Sequence, residues 1–486
     1  MKNEKLLLLI KAPYYDDYGP MKKAAGTYFP LGLGYISSYL KERGYDAALI
    51  DPDVQSVSKE QIAERVAADN PALVGISFMT PQFHTAKDIC KAIRKSAPGV
   101  QIALGGAHPS ALPEETLSEI PEADFAVVLE GEETSLELMK FLETGAPALK
   151  DIRGLVWRDR ENIVVNEARA PVADLDSLPF PDRALIDQSL YRVQSFFSYS
   201  KNTATIYTSR GCPGKCVFCC SGHRLRAPVR ERGMESIMAE IEHIRSAYGA
   251  DYLMIKDDTF TFRKTRVYEF CDAIEKNHPG LKWHCMGRAN TVDFPLLKRM
   301  KEAGLNDIFF GIESGNAEII KRAKKGITPE QSRNAVEACR NLGIRTYGAF
   351  ILGLPGETRE TAEETIRFAC SLPLTMAGFS ILIPYPGTTV YEEHFDKGCG
   401  PADYSSFVAS SGIHYTRAYT GMNGLTPEEL PALMARAQRR FYLRPAQIAR
   451  MLRSAGPRMI SGYFRGFFSL VAKERYRRRS HKAASG

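Results

Sequence analysis

The chain has 486 residues, 44% of them hydrophobic and 25% charged, with a formal net charge of +7; these are ordinary globular values at a length too great for one compact core, so about two or three domains are expected. No apolar run approaches the roughly 18 to 20 residues of a membrane span, and Leu6–Ile10 is too short for a signal-peptide core, which makes the cytoplasm the expected compartment. From Arg436 onward fourteen Lys and Arg face the single acid Glu474, while the rest of the chain is slightly acidic, so the basicity belongs to the tail and not to the body.

Residues 1–145 alternate short apolar runs with amphipathic segments. Strands are predicted at Lys5–Ile10, Asp46–Asp51, Ala72–Phe78, Gln101–Gly106 and Phe125–Gly131, with helices near 33–43, 58–69, 82–96 and 133–143 between them. This is the pattern of an α/β, doubly wound parallel (Rossmann-like) sheet, in which ligands bind beyond the carboxyl ends of the strands. Those ends carry Ser77 to Thr80, Gly105-Gly106-Ala107-His108-Pro109-Ser110 and Glu130-Gly131-Glu132; their glycines serve either turn closure or the close approach of a ligand.

Residues 146–200 read as a connector. Gly154–Trp157 and Ile163–Asn166 flank a polar run and predict a hairpin. Leu178-Pro179-Phe180-Pro181-Asp182 reads as extended, because each proline disfavours helix at the residue before it.

A second alternating array occupies 201–400. Its predicted strands are Thr205–Ser209, Tyr252–Lys256, Trp283–Arg288, Asp307–Glu313, Thr346–Leu352 and Gly378–Ile383, which fit a partial (βα)6 barrel with chemistry at the carboxyl-end loops. Between the first two, Met234, Ile237, Met238, Ile241 and Ile244 share a helical face that Gly249 ends. Residues 401–486 form a helical, basic C-terminal region, and no internal repeat is visible.

The ten cysteines are not expected to form a disulfide framework in a cytoplasmic chain. Cys90, Cys271, Cys285, Cys339, Cys370 and Cys399 are scattered singly, as small buried hydrophobes are. The other four crowd into Arg210-Gly211-Cys212-Pro213-Gly214-Lys215-Cys216-Val217-Phe218-Cys219-Cys220, directly after the first barrel strand. Soft thiolates at such spacing suit zinc or an iron–sulfur cluster. A closed zinc site wants a fourth ligand, for which His223 is a better candidate than the adjacent Cys220. Three cysteines instead leave one iron of a four-iron cluster open to a small molecule. On spacing alone zinc, cluster and plain structural thiols all remain.

Cys-x-x-x-Cys-x-x-Cys at this place resembles the radical S-adenosylmethionine (SAM) superfamily, and further motifs recur in order across roughly residues 200 to 400. The resemblance implies that Cys212, Cys216 and Cys219 hold a 4Fe–4S cluster whose open iron binds the amino and carboxylate groups of SAM. It places Phe218 beside the adenine. It places Asp257 and Asp258, in Lys256-Asp257-Asp258-Thr259-Phe260, near the SAM ammonium; many members carry a Gly-Gly-Glu type run there and this chain departs from it. Arg288 would pair with the SAM carboxylate. Glu313 and Ser314, in Gly311-Ile312-Glu313-Ser314-Gly315, would meet ribose and methionine, and Gly353, in Gly353-Leu354-Pro355-Gly356-Glu357, the adenine. An electron donor such as flavodoxin or ferredoxin is implied as well.

The N-terminal domain looks like that of the cobalamin-binding subclass, whose recurrent loops resemble Phe29-Pro30-Leu31-Gly32-Leu33-Gly34-Tyr35 and the two strand-end loops around Gly105 and Gly131. This implies cobalamin against Leu31, Gly32, Ser77, Thr80, Gly105, Gly106 and Gly131. Asp-x-His-x-x-Gly, which supplies a histidine lower ligand, is absent, and His84 and His108 lack its context; cobalamin would then bind without a protein histidine. The layout is similar to the group that includes the anaerobic magnesium-protoporphyrin ester cyclase and several methylases. It implies a 5′-deoxyadenosyl radical that abstracts hydrogen from an unactivated carbon of a small-molecule or lipid-like substrate, followed by methylation, or in the alternative by cyclisation or ring rearrangement. A metal-binding nucleic-acid regulator is the remaining alternative, and the tail has neither helix-turn-helix nor zinc-finger pattern.

In the tail, Ile448, Met451 and Leu452 share a helical face. Met459, Ile460, Tyr463, Phe464, Phe467, Phe468, Leu470 and Val471 are interleaved with Arg458 and Arg465, ahead of Arg475-Tyr476-Arg477-Arg478-Arg479. Such a segment either packs its aromatics on the barrel or lies on an anionic leaflet as a peripheral membrane contact.

Overall fold

The computed structural model describes residues 3–14, 26–192, 200, 202–221, 228–395, 404, 407 and 425–454. In the N-terminal sheet β1 (Asn3–Lys11), β2 (Asp46–Ile50), β3 (Pro71–Ser77), β4 (Gln101–Gly105) and β5 (Phe125–Val127) pair in parallel, in the order β2-β1-β3-β4-β5. The run Leu6–Ile10 is apolar without alternation because both faces of β1 are covered. Leu8 and Ile10 pack with Ile62, Val66, Ile89 and Ile93 on one side, and Leu7 and Leu9 with Leu33, Leu40, Leu138 and Met139 on the other. The covering helices are Leu31–Lys41, Lys59–Asp69, Phe83–Ser96 and Glu132–Thr144. Ser58 and Gln61 close a capping box on the second of these, and Gly145 ends the fourth at a left-handed φ of 79°.

Two differences from expectation stand out. β5 stops at Val127, short of Gly131: Leu129 takes a φ of 68°, and its N–H is donated to Ser110 Oγ at 2.8 Å instead of to a neighbouring strand. The hairpin of the connector, β6 (Leu155–Asp159) and β7 (Asn162–Val165), extends this same sheet, β6 pairing antiparallel with β5. Its buried Leu155 and Val156 are the apolar residues that supply a reason to dock there.

The second sheet holds β8 (Thr203–Ile206), followed in the chain by the short antiparallel pair β9 (Ser209–Arg210) and β10 (Arg230–Glu231). Then come β11 (Tyr252–Ile255), β12 (Lys282–Gly287), β13 (Leu305–Glu313), β14 (Arg345–Leu352) and β15 (Met376–Ile381), and the six long strands lie parallel in the order β8-β11-β12-β13-β14-β15. This is the expected six-stranded partial barrel. Alternate residues, among them Leu253, Ile255, Trp283, Cys285, Ile308, Phe310, Phe350 and Phe379, pack outward against the helices, leaving the intervening ones to line the inside. The helix Glu429–Tyr442 joins this outer core through Leu430, Leu433, Met434, Ala437 and Phe441.

Helix Pro445–Ser454 follows; the aromatic and arginine-rich residues beyond it, like His223 and Cys399, lie outside the described residues. Among the described residues no helix is long and apolar enough to cross a membrane.

Candidate active site

The cysteine loop leaves the barrel at Gly211, whose φ of 98° turns the chain over the strand ends. It is pinned by main-chain bonds: Val217 N–H donates to Ala323 O at 3.2 Å, and Val390 N–H to Val217 O at 3.1 Å. Cys216 is buried, while Cys212 and Cys219 are partly open. Gly214 N–H donates to Cys212 Sγ at 3.4 Å. A Cβ on Gly214 would lie 3.3 Å from Cys212 Sγ, 3.7 Å from Cys216 Sγ and 3.0 Å from Arg288 Nη1. Glycine therefore keeps two thiols and a guanidinium around one small space. Cys220 turns elsewhere, its thiol reaching Pro386 O at 3.8 Å.

Arg288 follows directly after β12 and donates to the main-chain carbonyl of Lys325. Lys325 in turn donates to Glu313 Oε1 at 2.7 Å and stands 5.9 Å from the centre of the Phe218 ring. Glu313 is held at a φ of 65°, strained for a side chain of its size, and Gly311 makes this possible: a Cβ there would collide with both Glu313 Oε1 and Lys325 Nζ. Phe218, Arg288 and Glu313 are thus neighbours at the barrel mouth, linked by a lysine that the sequence does not single out. Phe218 also borders Val217, Leu354 and Leu382, an apolar wall beside Gly353.

Asp257 and Asp258 part company, as successive residues at a strand end do. Asp257 is buried and accepts from Thr208 N–H at 2.7 Å, Thr208 Oγ1 at 2.5 Å and Ser209 Oγ at 2.6 Å. It ties β11 to the root of the cysteine loop, and burial raises its carboxyl above the ordinary range against the pull of those donors. Asp258 is exposed. Thr259, next in line, has its hydroxyl 3.7 Å from Cys212 Sγ. Ser314 is fully buried and bonded to Thr365 Oγ1 at 2.8 Å, while its Oγ receives Asn316 N–H at 3.1 Å. Gly353 N–H donates to the buried Glu357 carboxylate, which closes the turn; desolvation pushes that carboxyl up to about 7.

At the carboxyl edge of the N-terminal sheet, Gly106 has a φ of 101°, and a Cβ there would stand 2.5 Å from Phe78 O. A Cβ on Gly32 would meet nothing within 4 Å, and one on Gly105 only Val127 O at 4.0 Å. Met79 stands 46% exposed between Ser77 and the buried Thr80. Gly131 caps the helix that begins at Glu132. Leu31 is buried at the start of its own helix. His108 is enclosed by Phe78, Phe83 and Tyr404 and bonded to Thr80 Oγ1 at 3.1 Å, as expected of a structural histidine.

The two sheets meet at their carboxyl ends. Arg210, two residues before Cys212, donates to Glu132 Oε1 at 2.7 Å and lies 4.9 Å from the Tyr35 ring centre. Arg230, its partner on β10, binds both oxygens of Glu130. These arginines escaped the sequence reading because their partners lie far away in the chain.

The residues present fit the groups that the motifs imply. Among the described residues no three His, Cys, Asp or Glu side chains close around a single ion; the donors are soft thiols spread along one loop, two of them facing the place that Gly214 leaves without a side chain, which suits a multi-iron cluster. The open edge at Gly32 and Gly105, with an exposed methionine, suits a broad flat cofactor approaching main chain, whereas Gly106 makes room for the Phe78 carbonyl.

Comparison with known proteins agrees. Residues 20–139 match the B12 binding domain and residues 206–369 the radical SAM superfamily. The chain is similar to an uncharacterized methyltransferase of Pyrococcus horikoshii, 31% identical over 92% of this chain and 94% of that protein. It is similar to the anaerobic magnesium-protoporphyrin IX monomethyl ester cyclase of Cereibacter sphaeroides, 30% identical over 89% of this chain and 70% of the cyclase. In fold it resembles the radical SAM methyltransferase TsrM of Kitasatospora setae, solved with cobalamin and a 4Fe–4S cluster: TM-score 0.67, 20% identity, covering 91% of this chain and 82% of TsrM.

Proposed function

Because the chain belongs to the family of radical SAM enzymes that carry an N-terminal B12-binding domain, we propose that it methylates an unactivated carbon of a small molecule held in the barrel mouth. The observation that carries this reading is the junction of the two carboxyl-terminal edges through Arg210–Glu132 and Arg230–Glu130, which brings the B12-binding loops to the root of the cysteine loop. When bound, the cluster with SAM supplies a radical able to take hydrogen from carbon, and cobalamin supplies a methyl group.

The chain's own residues hold and orient. Cys212, Cys216 and Cys219 hold the cluster. Arg288 receives the SAM carboxylate, and Glu313, braced by Lys325, accepts from the ribose or the ammonium. Phe218 and Gly353 border the adenine, and Asp258 faces the ammonium. Asp257 and Ser314 act as positioning residues through the hydroxyl and main-chain bonds that they make. Leu31, Gly32, Ser77, Thr80, Gly105, Gly106 and Gly131 border the corrinoid. A flavodoxin or ferredoxin delivers the reducing electron.

Protein reconstituted anaerobically with iron, sulfide and hydroxocobalamin is expected to be brown, to retain corrinoid through gel filtration and to form 5′-deoxyadenosine from SAM under dithionite. Deuterated methyl groups from SAM should then appear in a small molecule from extracts of the producing cell. A colourless zinc protein without SAM turnover would overturn the reading. Deoxyadenosine without label transfer would favour the second reading, cyclisation, which the likeness to the ester cyclase supports.

A peripheral membrane contact through the tail, and with it a lipid-like substrate, is the finer form of this proposal. Leu443, Ile448 and Leu452 stand 41%, 38% and 49% exposed among arginines, as a helix in a membrane interface presents them. Full-length protein should sediment with anionic vesicles and be released by salt, whereas full-length protein with Leu443, Ile448 and Leu452 replaced by Ser should stay in the supernatant; equal behaviour of the two would leave this segment with the core.

A further inference from the structure

Lys256 follows directly after β11. Leu253 and Ile255 pack outward with the helices, so Tyr252, Met254 and Lys256 take the inner face. Met254 pairs with His284 across the sheet, which sets Lys256 level with Met286, two residues deeper than Arg288. The main chain of Lys256 therefore stands about 7 Å along the strand below the level of Arg288, and its side chain enters the barrel from there.

Its surroundings differ from those of the neighbouring cations. Lys325 is paired with Glu313, and Arg288 with a main-chain carbonyl. Among the described residues Lys256 forms no ion pair. Its neighbour is the ring of Tyr28, 4.0 Å from Nζ to the centroid, contributed by the segment before the first helix of the B12-binding domain. A cation on an aromatic face is only partly compensated for lost water, and burial lowers the Lys256 ammonium to about 8 with no carboxylate acting against it. It remains mostly charged at pH 7. A half-buried cation without a counter-charge weakens the fold unless a ligand supplies one, and the ring leaves the N–H donors available to an acceptor from the lumen.

We propose that Lys256 is a specificity-determining residue that binds an anionic group of the substrate, a carboxylate or a phosphate, inside the barrel below the SAM site. This rests on the reading of the barrel mouth as the place where the substrate carbon is attacked. It narrows the substrate class to small molecules with an acidic group set near the carbon to be modified. Tyr28 then helps to set the depth of that group, so a residue of the B12-binding domain takes part in choosing the substrate.

The test uses cluster- and cobalamin-loaded protein with SAM. Acetylation of Lys256 by a succinimidyl ester is followed by peptide mass spectrometry with acetate or with inorganic phosphate added, and exposed Lys59 serves as the internal reference. One of the two anions should slow modification of Lys256 at least fivefold and leave Lys59 unchanged; which one does so separates a carboxylic from a phosphorylated substrate. By calorimetry, Lys256→Arg should retain binding of the protecting anion and Lys256→Met should weaken it at least tenfold, with iron content as the control for folding. No protection by either anion, or equal anion binding by Lys256→Met, overturns the proposal. If the wild-type protein cleaves no SAM while an anion still protects Lys256, the functional reading falls and the anion site stands.

Discussion

Arg230 grips Glu130 with both terminal nitrogens, 3.0 Å to one carboxylate oxygen and 2.7 Å to the other. The pair joins the loop after β5 to the short strand that flanks the cysteine loop, and both side chains are largely shielded from water. Burial alone would raise the Glu130 carboxyl, but its hydrogen bond with Arg230 and the charge of Arg210 hold it below the ordinary carboxylate range. A carboxylate lowered in this way stabilises the fold above its unfolded value and loses that contribution as pH falls through the folded one. Replacing Arg230 by Met removes the two-point partner and leaves the shielded carboxylate with Arg210 at 3.6 Å and the Val172 N–H, so a loss of about 2 kcal/mol is expected. Glu130→Gln with Arg230→Met should cost less than the sum of the single changes, read by chemical unfolding and by cobalamin retention.

Cys212→Ala, Cys216→Ala and Cys219→Ala should each abolish cluster assembly and SAM cleavage. Cys220→Ala should keep both, because its thiol is directed at Pro386. Iron and sulfide analysis with EPR of the reduced protein reads the outcome, and loss of the cluster in Cys220→Ala alone would move the ligand assignment.

Glu313→Ala should weaken SAM binding at least tenfold with iron content unchanged, measured by equilibrium dialysis. Gly311→Ala should act in the same direction without touching a ligand, because its Cβ would occupy the place of the Glu313–Lys325 pair. Normal SAM affinity in both variants would make that pair purely structural.

Glu357 supplies a pH signature. Its carboxyl is raised by desolvation to about 7, against about 4.3 in an unfolded chain, so the folded state binds the extra proton between these values. Stability therefore falls as pH rises through that window, by about 4 kcal/mol in total if the group acts alone. Glu357→Gln, neutral throughout, should be less stable than or equal to the wild type near pH 5 and gain on it toward pH 7. Parallel unfolding curves across the window would contradict this.

What was legible in the sequence followed from local pattern. The leucine run of β1 could only be a strand covered on both faces, and the six barrel strands were readable because each ends in a glycine-rich or polar turn. Partnerships across the fold were not readable. Lys325 sits in Lys324-Lys325-Gly326 with nothing to distinguish it from its exposed neighbour, yet it is the one that is buried against Glu313. Asp257 and Asp258 look equivalent as a pair of acids, and only the strand's alternation separates a buried latch from an exposed group. The hairpin at Leu155–Val165 was visible as a hairpin, but its docking on β5 depends on an edge that β5 presents only after the sheet has formed.

That docking decides where the chain can be cut. β5 contributes three residues to the sheet, and β6 covers the edge that it would otherwise leave open. A fragment ending at Gly145 would carry the whole parallel sheet and still present the main chain of Phe125–Val127 to any passing strand, an invitation to pair with a second copy. A fragment carried through Val165 brings its own cover. Leu175, Leu178, Ile186 and Tyr191 pack in the core of the same half, and Tyr191 donates to Asp51, so the natural seam between the two halves of the molecule lies beyond Tyr191 and not at the prolines.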